Sequence, residues 1–138
     1  MKFRSAKFSA MAFVSVSIFS ATGAVNAADT TPASQLQYWA QQANAPANAE
    51  QGKVFYNTRQ KQDLSCATCH SANPLEPGKH SSTGKALKPL APATNPKSLT
   101  DTAKIDKWFR RNCNEVVGRE CSAQEKANVI AYLISLKP

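Results

Sequence analysis

Residues 64–70 read LSCATCH, and the last five of them, Cys66 to His70, decide how the chain is understood. The spacing C-x-x-C-H has a chemical reason. Two thiols separated by two residues can reach the two vinyl groups on one edge of a porphyrin, and the adjacent histidine then lies under the iron as its proximal ligand. The motif therefore predicts one covalently attached haem c, held by Cys66 and Cys69 with His70 on the metal. Other uses of paired cysteines fit less well. A thioredoxin-type redox pair belongs beside a βαβ pattern, which this sequence lacks. A zinc site needs a second close pair of ligands, and Cys113 and Cys121 are too far apart to supply it.

The start of the chain sets the compartment. Lys2, Arg4 and Lys7 give a positive beginning, AMAFVSVSIF (10–19) is apolar, and AVNA ends in small residues at Ala27. This pattern predicts an export signal over residues 1–27, and a single domain over 28–138. The apolar run is well short of the ~20 residues a spanning helix needs, so no stable membrane insertion is expected after cleavage. A periplasmic setting follows, in which four cysteines serve as disulfides, cofactor attachments or metal ligands rather than free thiols. The 17 basic and nine acidic residues become 14 and nine once the leader is removed, 14 − 9 = +5. An exported chain of modest charge with no recognition motif gives no reason to expect nucleic acid as a partner.

Helical periodicity surrounds the motif on both sides. After a start at 28–32 that is expected to fray, SQLQYWAQQANA (34–45) is helical in pattern, with Leu36, Tyr38 and Trp39 as its large apolar groups. NAEQGKVFYNTR (48–59) reads as a second helix, capped by Asn48, with Val54 and Phe55 on its buried side. Gly52 weakens that helix, so another backbone is expected to pass close to it. From Ser71 to Pro96 the chain is proline-rich and aperiodic, a loop long enough to need something to wrap around. LTDTAKIDKWFRRN (99–112) restores the helical period through Ile105, Trp108 and Phe109, with an expected end at Arg111. Ser122 and Glu125 form a capping box before the last helix, whose stripe is Val129, Tyr132, Leu133 and Leu136. With no strand pattern and no repeat, the fold class is all-α. These helices carry too little apolar surface for a core of their own, and a large apolar cofactor would supply the missing interior.

The sixth position on the iron is the open question. Electron-transfer cytochromes c use a methionine there, but Met1 and Met11 both lie in the leader. The remaining donors are His80, a lysine amine, water, an open position, or an amide oxygen from Asn112 or Asn114. His80 follows His70 by ten residues and reads either as a solvated loop histidine or as a distal ligand. Lys79, Lys85, Lys88, Lys97, Lys104 and Lys107 read as a basic rim, which also suits steering of an acidic redox partner. The asparagines flank Cys113 in RRNCNEVV (110–117), where Asn112 suits a helix C-cap as well as ligation.

Two resemblances narrow these choices. A helix with glycine and an aromatic before C-x-x-C-H, a wrapping loop, and a terminal helix containing IAYLISL (130–136) together resemble the class I cytochrome c fold over most of 48–138. RRNCNEVVGREC (110–121) resembles the sphaeroides haem protein family of monohaem cytochromes c. That resemblance implies His70 as proximal ligand and Cys66 and Cys69 as haem attachments. It also implies Asn112 as a labile sixth ligand, and a Cys113–Cys121 disulfide stiffening the segment that carries it. Further implications are high-spin ferric iron, entry of O2, NO or CO once the asparagine leaves on reduction, and a dihaem cytochrome c as electron donor. The contrasting reading is a low-spin electron carrier with His80 on the iron. An enzymic role, as a weak oxidase or NO dioxygenase, finds neither a second haem motif nor a clearly placed distal acid–base histidine.

Overall fold

The computed structural model describes residues 30–138, so the leader expected at 1–27 and the first two residues after it lie outside the described residues. Helix α1 (Pro32–Ala43) begins where Thr31 Oγ1 accepts the Ser34 N–H at 3.0 Å, and it closes at Asn44, whose φ of 51° is left-handed. Of the start expected to fray, the described part from Thr30 is instead tied down: Thr30 N–H donates to the Thr100 carbonyl at 3.2 Å, and Gln35 Nε2 donates to Thr30 Oγ1 and Thr102 Oγ1.

Helix α2 (Ala49–Asn57) is capped by Asn48 as expected, the side chain accepting the Gln51 N–H at 3.0 Å. The expectation for Gly52 also holds, because a Cβ built there would lie 1.9 Å from the Asn128 carbonyl oxygen of the terminal helix. The expectation for Val54 does not, since it is 65% exposed. Gly52 and Tyr56, four residues apart, share the face that meets the terminal helix, and Val54 falls on the far side at about 100° per residue. Tyr56 is the fully buried aromatic of this helix.

A 3-10 turn (Lys61–Asp63) leads into α3 (Cys66–His70), so the CATCH motif is itself one helical turn. The proline-rich loop that follows holds two two-residue strands the sequence did not signal, β1 (Gly78–Lys79) and β2 (Ala86–Leu87). They pair antiparallel with Gly78 opposite Leu87 and Lys79 opposite Ala86. Strands this short carry no hydrophobic alternation, which is why periodicity cannot find them.

Helix α4 (Thr102–Val116), capped by Asp101, runs well past the end expected at Arg111. Asn112 is therefore neither a C-cap nor the first residue of a loop; it lies inside the helix. Helix α5 (Ala123–Ser135) has the expected Ser122–Glu125 capping box. Val129, Tyr132 and Leu133 are buried in one cluster with Tyr56, whose ring centre is 5.6 Å from that of Tyr132. Packed against this cluster are Phe55, Cys66, Leu90, Leu99, Phe109 and Leu136. The fold is all-α, and among the described residues no helix is long and apolar enough to cross a membrane.

Candidate haem-binding site

A single helical turn presents Cys66, Cys69 and His70 together, because residues at i, i+3 and i+4 share one helix face. Thr68 closes the start of that turn by accepting the Ser65 N–H at 2.9 Å. The turn ends abruptly at Ser71, whose φ of 68° is unusual for a residue with a side chain. What holds it is Tyr56, whose buried hydroxyl donates to the carbonyls of both His70 (3.2 Å) and Ser71 (3.0 Å). Burial, reinforced by the nearby Cys66 thiol, raises the Tyr56 hydroxyl far above its ordinary value, so it stays a donor.

The loop closes over the motif from the other side. A Cβ on Gly78 would lie 2.1 Å from the Cys69 carbonyl oxygen and 2.7 Å from the His70 Cα, so only glycine fits there. Cys69 Sγ lies 3.4 Å from both the backbone nitrogen and the Oγ of Ser81. Pro74 is fully buried, and its carbonyl accepts the N–H groups of Leu90 and Ala91, bringing the end of the loop back beside its beginning.

These residues fit a covalent haem. Both thiols are unpaired, and burial pushes the Cys66 thiol up to about 11. Burial, and secondarily His80, lowers the His70 imidazole, favouring the neutral form whose ring nitrogen can bind a metal. His70 Nδ1 is buried without a hydrogen-bond partner. Around the turn stand apolar groups from α2, the loop, α4 and α5, which is the lining a porphyrin needs.

The candidates for the sixth position differ in their surroundings. His80 is used by its own loop: its Nδ1 lies 3.2 Å from Ser82 Oγ and 3.4 Å from the Thr83 nitrogen, and its backbone N–H donates to the Lys85 carbonyl. Asn114 is folded back on its helix, donating to the Arg110 carbonyl at 2.6 Å, and is exposed. Asn112 is half-buried, two turns along α4 from the buried Ile105 and next to the buried Cys113.

Cys113 and Cys121 are joined, with Cα atoms 5.6 Å apart, so the last turn of α4 is bonded to the residue before the α5 cap. The chain between them turns at Gly118, where φ is 83°. Two ion pairs tie this turn to α5: Arg119 meets both carboxylate oxygens of Glu125, and Glu120 meets Lys126. Sequence reasoning missed Lys126, Tyr56 and Gly78. Lys126 is 7% exposed, and its ammonium lies 4.3 Å from the Trp39 ring centre. A lone lysine three residues before the apolar stripe of α5 was the available signal.

Comparison with known proteins gives this geometry its context. A family model described as a domain of unknown function, DUF1924, matches residues 42–133. Cytochrome c-type protein SHP of Cereibacter sphaeroides is 43% identical over 115 residues, covering 80% of this chain and 88% of that protein. Cytochrome c'' of Methylophilus methylotrophus is 42% identical over 120 residues, covering 78% and 83%. The chain belongs to this family of c-type cytochromes, and its cofactor is one covalently bound haem c. Among solved structures, oxidised SHP, described as an oxygen-binding cytochrome c, superposes with a TM-score of 0.74 at 42% identity, covering 78% of this chain and 99% of that one. Oxidised cytochrome c'' gives 0.71 at 35%, covering 78% and 95%. The expected resemblance to the sphaeroides haem protein family and the expected all-α cytochrome c-like fold both hold.

Proposed function

We propose that this protein is a periplasmic, high-spin c-type cytochrome in which His70 and Asn112 would hold the haem iron, and which accepts an electron and binds a diatomic gas at the position Asn112 gives up. The observation that carries the reading is the placement of Asn112. It lies inside α4, one residue before the Cys113–Cys121 bridge, in a chain whose methionines both fall within residues 1–27. His80, the alternative ligand, keeps Nε2 free, but its backbone N–H is bonded to the Lys85 carbonyl and its Nδ1 lies beside Ser82 and Thr83, which ties it to its own turn and disfavours the simple low-spin carrier.

A haem held by Cys66, Cys69, His70 and Asn112 would supply a redox-active iron able to take up an electron and a diatomic gas. His70 offers a neutral imidazole from a turn fixed by Tyr56 and Gly78. Asn112 offers a neutral amide oxygen, a weak donor that stays in place only while its backbone is held. The disulfide holds that backbone without holding the side chain. So weak a donor depends on the charge of the metal it faces, so Asn112 would be the residue to give way on reduction. Its NH2 group is then available to donate a hydrogen bond to an incoming O2 or NO. The export pattern at 1–27 supports the periplasmic setting, and a dihaem cytochrome c is the electron donor that the family resemblance suggests.

Optical spectra of the ferric and dithionite-reduced holoprotein, with and without CO, test this reading alongside Asn112→Ala. The expected result is a high-spin ferric spectrum that changes on removal of the amide, and prompt CO binding to the reduced protein. A low-spin spectrum indifferent to both CO and the substitution would overturn the assignment of Asn112.

A further inference from the structure

Lys126 is, among the described residues, the one charged side chain that is buried. It belongs to the inward stripe of α5, one turn before Val129 and Ile130 and two before Leu133. Its ammonium lies 4.3 Å from the Trp39 ring centre of α1 and 6.0 Å from the Phe109 ring centre of α4. Phe109 in turn packs against the cluster of Val129, Tyr132 and Leu133 at the candidate haem site. The ammonium is therefore a single aromatic side chain away from the lining offered to the porphyrin. Protein groups alone enclose it, and a bound cofactor would only add to that enclosure.

Stability alone does not ask for a cation here. Burial strips an ammonium of its water, and the start of α5 carries the positive end of the helix dipole, which repels it. A buried ion pair seldom stabilises more than apolar side chains of the same volume. The partner carboxylate, Glu120, is 52% exposed at its side chain against 9% for Lys126. Water and salt therefore screen the negative end of the pair far more than the positive end. Trp39 meets the ammonium with its ring while its own Nε1 is buried without a partner, so the indole acts as an apolar cover. The pair is a fixed dipole with its positive end inside, beside the cofactor site.

We infer that Lys126 is a fixed internal charge that favours the ferrous form, and so sets how readily the protein takes its electron. A cation shut away from water lowers the cost of adding one electron to the site beside it, with no atom or proton exchanged. Trp39 keeps water from the ammonium, and Glu120 holds it in place from the solvent side. The inference rests on the reading of the protein as an electron-accepting cytochrome, and not on Asn112.

The test is the midpoint potential of the holoprotein, read by spectroelectrochemical titration at about pH 6, where lysine and glutamate are ordinarily both charged. Lys126→Met keeps the length of the side chain and removes its charge. It should move the reduction equilibrium about fivefold toward ferric, a fall of about 40 mV at 59 mV per tenfold for one electron. Glu120→Gln removes the screened carboxylate and leaves the ammonium, and should move the equilibrium about twofold toward ferrous. Opposite signs are the signature of charge, because either substitution would break a mere brace alike. Lys53→Met takes an equal charge from the exposed surface of α2 and should shift the equilibrium less than about 1.5-fold. Shifts of the same sign for Lys126→Met and Glu120→Gln, or a shift for Lys126→Met no larger than that for Lys53→Met, overturn the inference. Should Lys126→Met not fold, Glu120→Gln decides alone, and a potential at or below that of the parent overturns it. The ferric and CO spectra of each variant report on Asn112, so failure of the axial assignment is visible apart from failure of this one.

Discussion

On the proximal side of the site, constraint comes from backbone pressed against backbone: Gly78 against Cys69 and His70, Gly52 against Asn128, and one buried hydroxyl holding two successive carbonyls. On the α4 side the constraint is of another kind. A covalent bridge and two ion pairs fix the helix end, while Asn112 itself is half-buried and Asn114 and Trp108 are exposed. On the proposed function, the difference would let one small domain grip a cofactor permanently and still offer it a ligand that leaves. Close packing fixes side chains and main chain alike, whereas a staple fixes only the main chain and leaves the neighbouring side chain its rotamers.

The largest break in this contrast should come from filling the close approaches. Gly78→Ala would place a methyl group against the Cys69 carbonyl, and Gly52→Ala would do so against that of Asn128. Neither obstacle is the tip of a flexible side chain, so the backbones must separate. Each change should destabilise by on the order of 3 kcal/mol or more, and Gly78→Ala should also lower the yield of covalently attached haem. Thermal unfolding and the ratio of haem to protein absorbance read both effects. Val54→Ala, on the exposed side of α2, is the comparison, with an expected change within about 0.5 kcal/mol. A stable, fully loaded Gly78→Ala protein would show that the loop is less tightly seated than its geometry implies.

The second break separates the two sides. Replacing Cys113 and Cys121 by serine opens a nine-residue loop, for which the chain-entropy estimate gives a loss of about 2.6 kcal/mol. The thioether attachment at Cys66 and Cys69 should survive it. What should change is the grip on Asn112, seen as faster CO binding to the reduced protein and an altered ferric spectrum. If denaturation shows the expected loss but CO kinetics stay the same, the bridge serves stability alone and the ligand is held by something else.

Much of this contrast was legible in the sequence because its main parts are short-range. C-x-x-C-H fits within one helical turn, Ser122 and Glu125 cap the helix that follows them, and Gly52 in a helical pattern announces a close neighbour. The unforeseen features depend on distant residues. Nothing near Tyr56 indicates that its hydroxyl reaches His70 and Ser71, and Gly78 lies in a segment where glycine needs no explanation. The end of α4 was misplaced because the apolar period stops at Phe109, while Asn112 to Val116 stay helical through contacts with the disulfide and the core. The buried Lys126 contradicts the usual preference of lysine for water and is explained only by Glu120, Trp39 and Phe109 meeting around it.

The smallest effect tests whether charge contributes to the staple. The Arg119 guanidinium hydrogen-bonded to Glu125 holds its carboxyl below the ordinary value of 4.5, overcoming the opposing influence of partial burial. A carboxyl depressed in the folded state adds stability that is present above its unfolded value and lost as pH falls through the folded one. Glu125→Gln keeps an oxygen able to accept the Ser122 N–H in the capping box, so it removes charge with little change in shape. Because the Arg119 partner stays open to solvent, the variant should melt only about 2 °C or less below the parent at neutral pH. That gap should close in acid, where the parent carboxyl is protonated too, and narrow at high salt. A gap that persists in acid would assign the contribution to hydrogen-bond geometry at the cap, leaving the disulfide as the principal constraint on the α4 end.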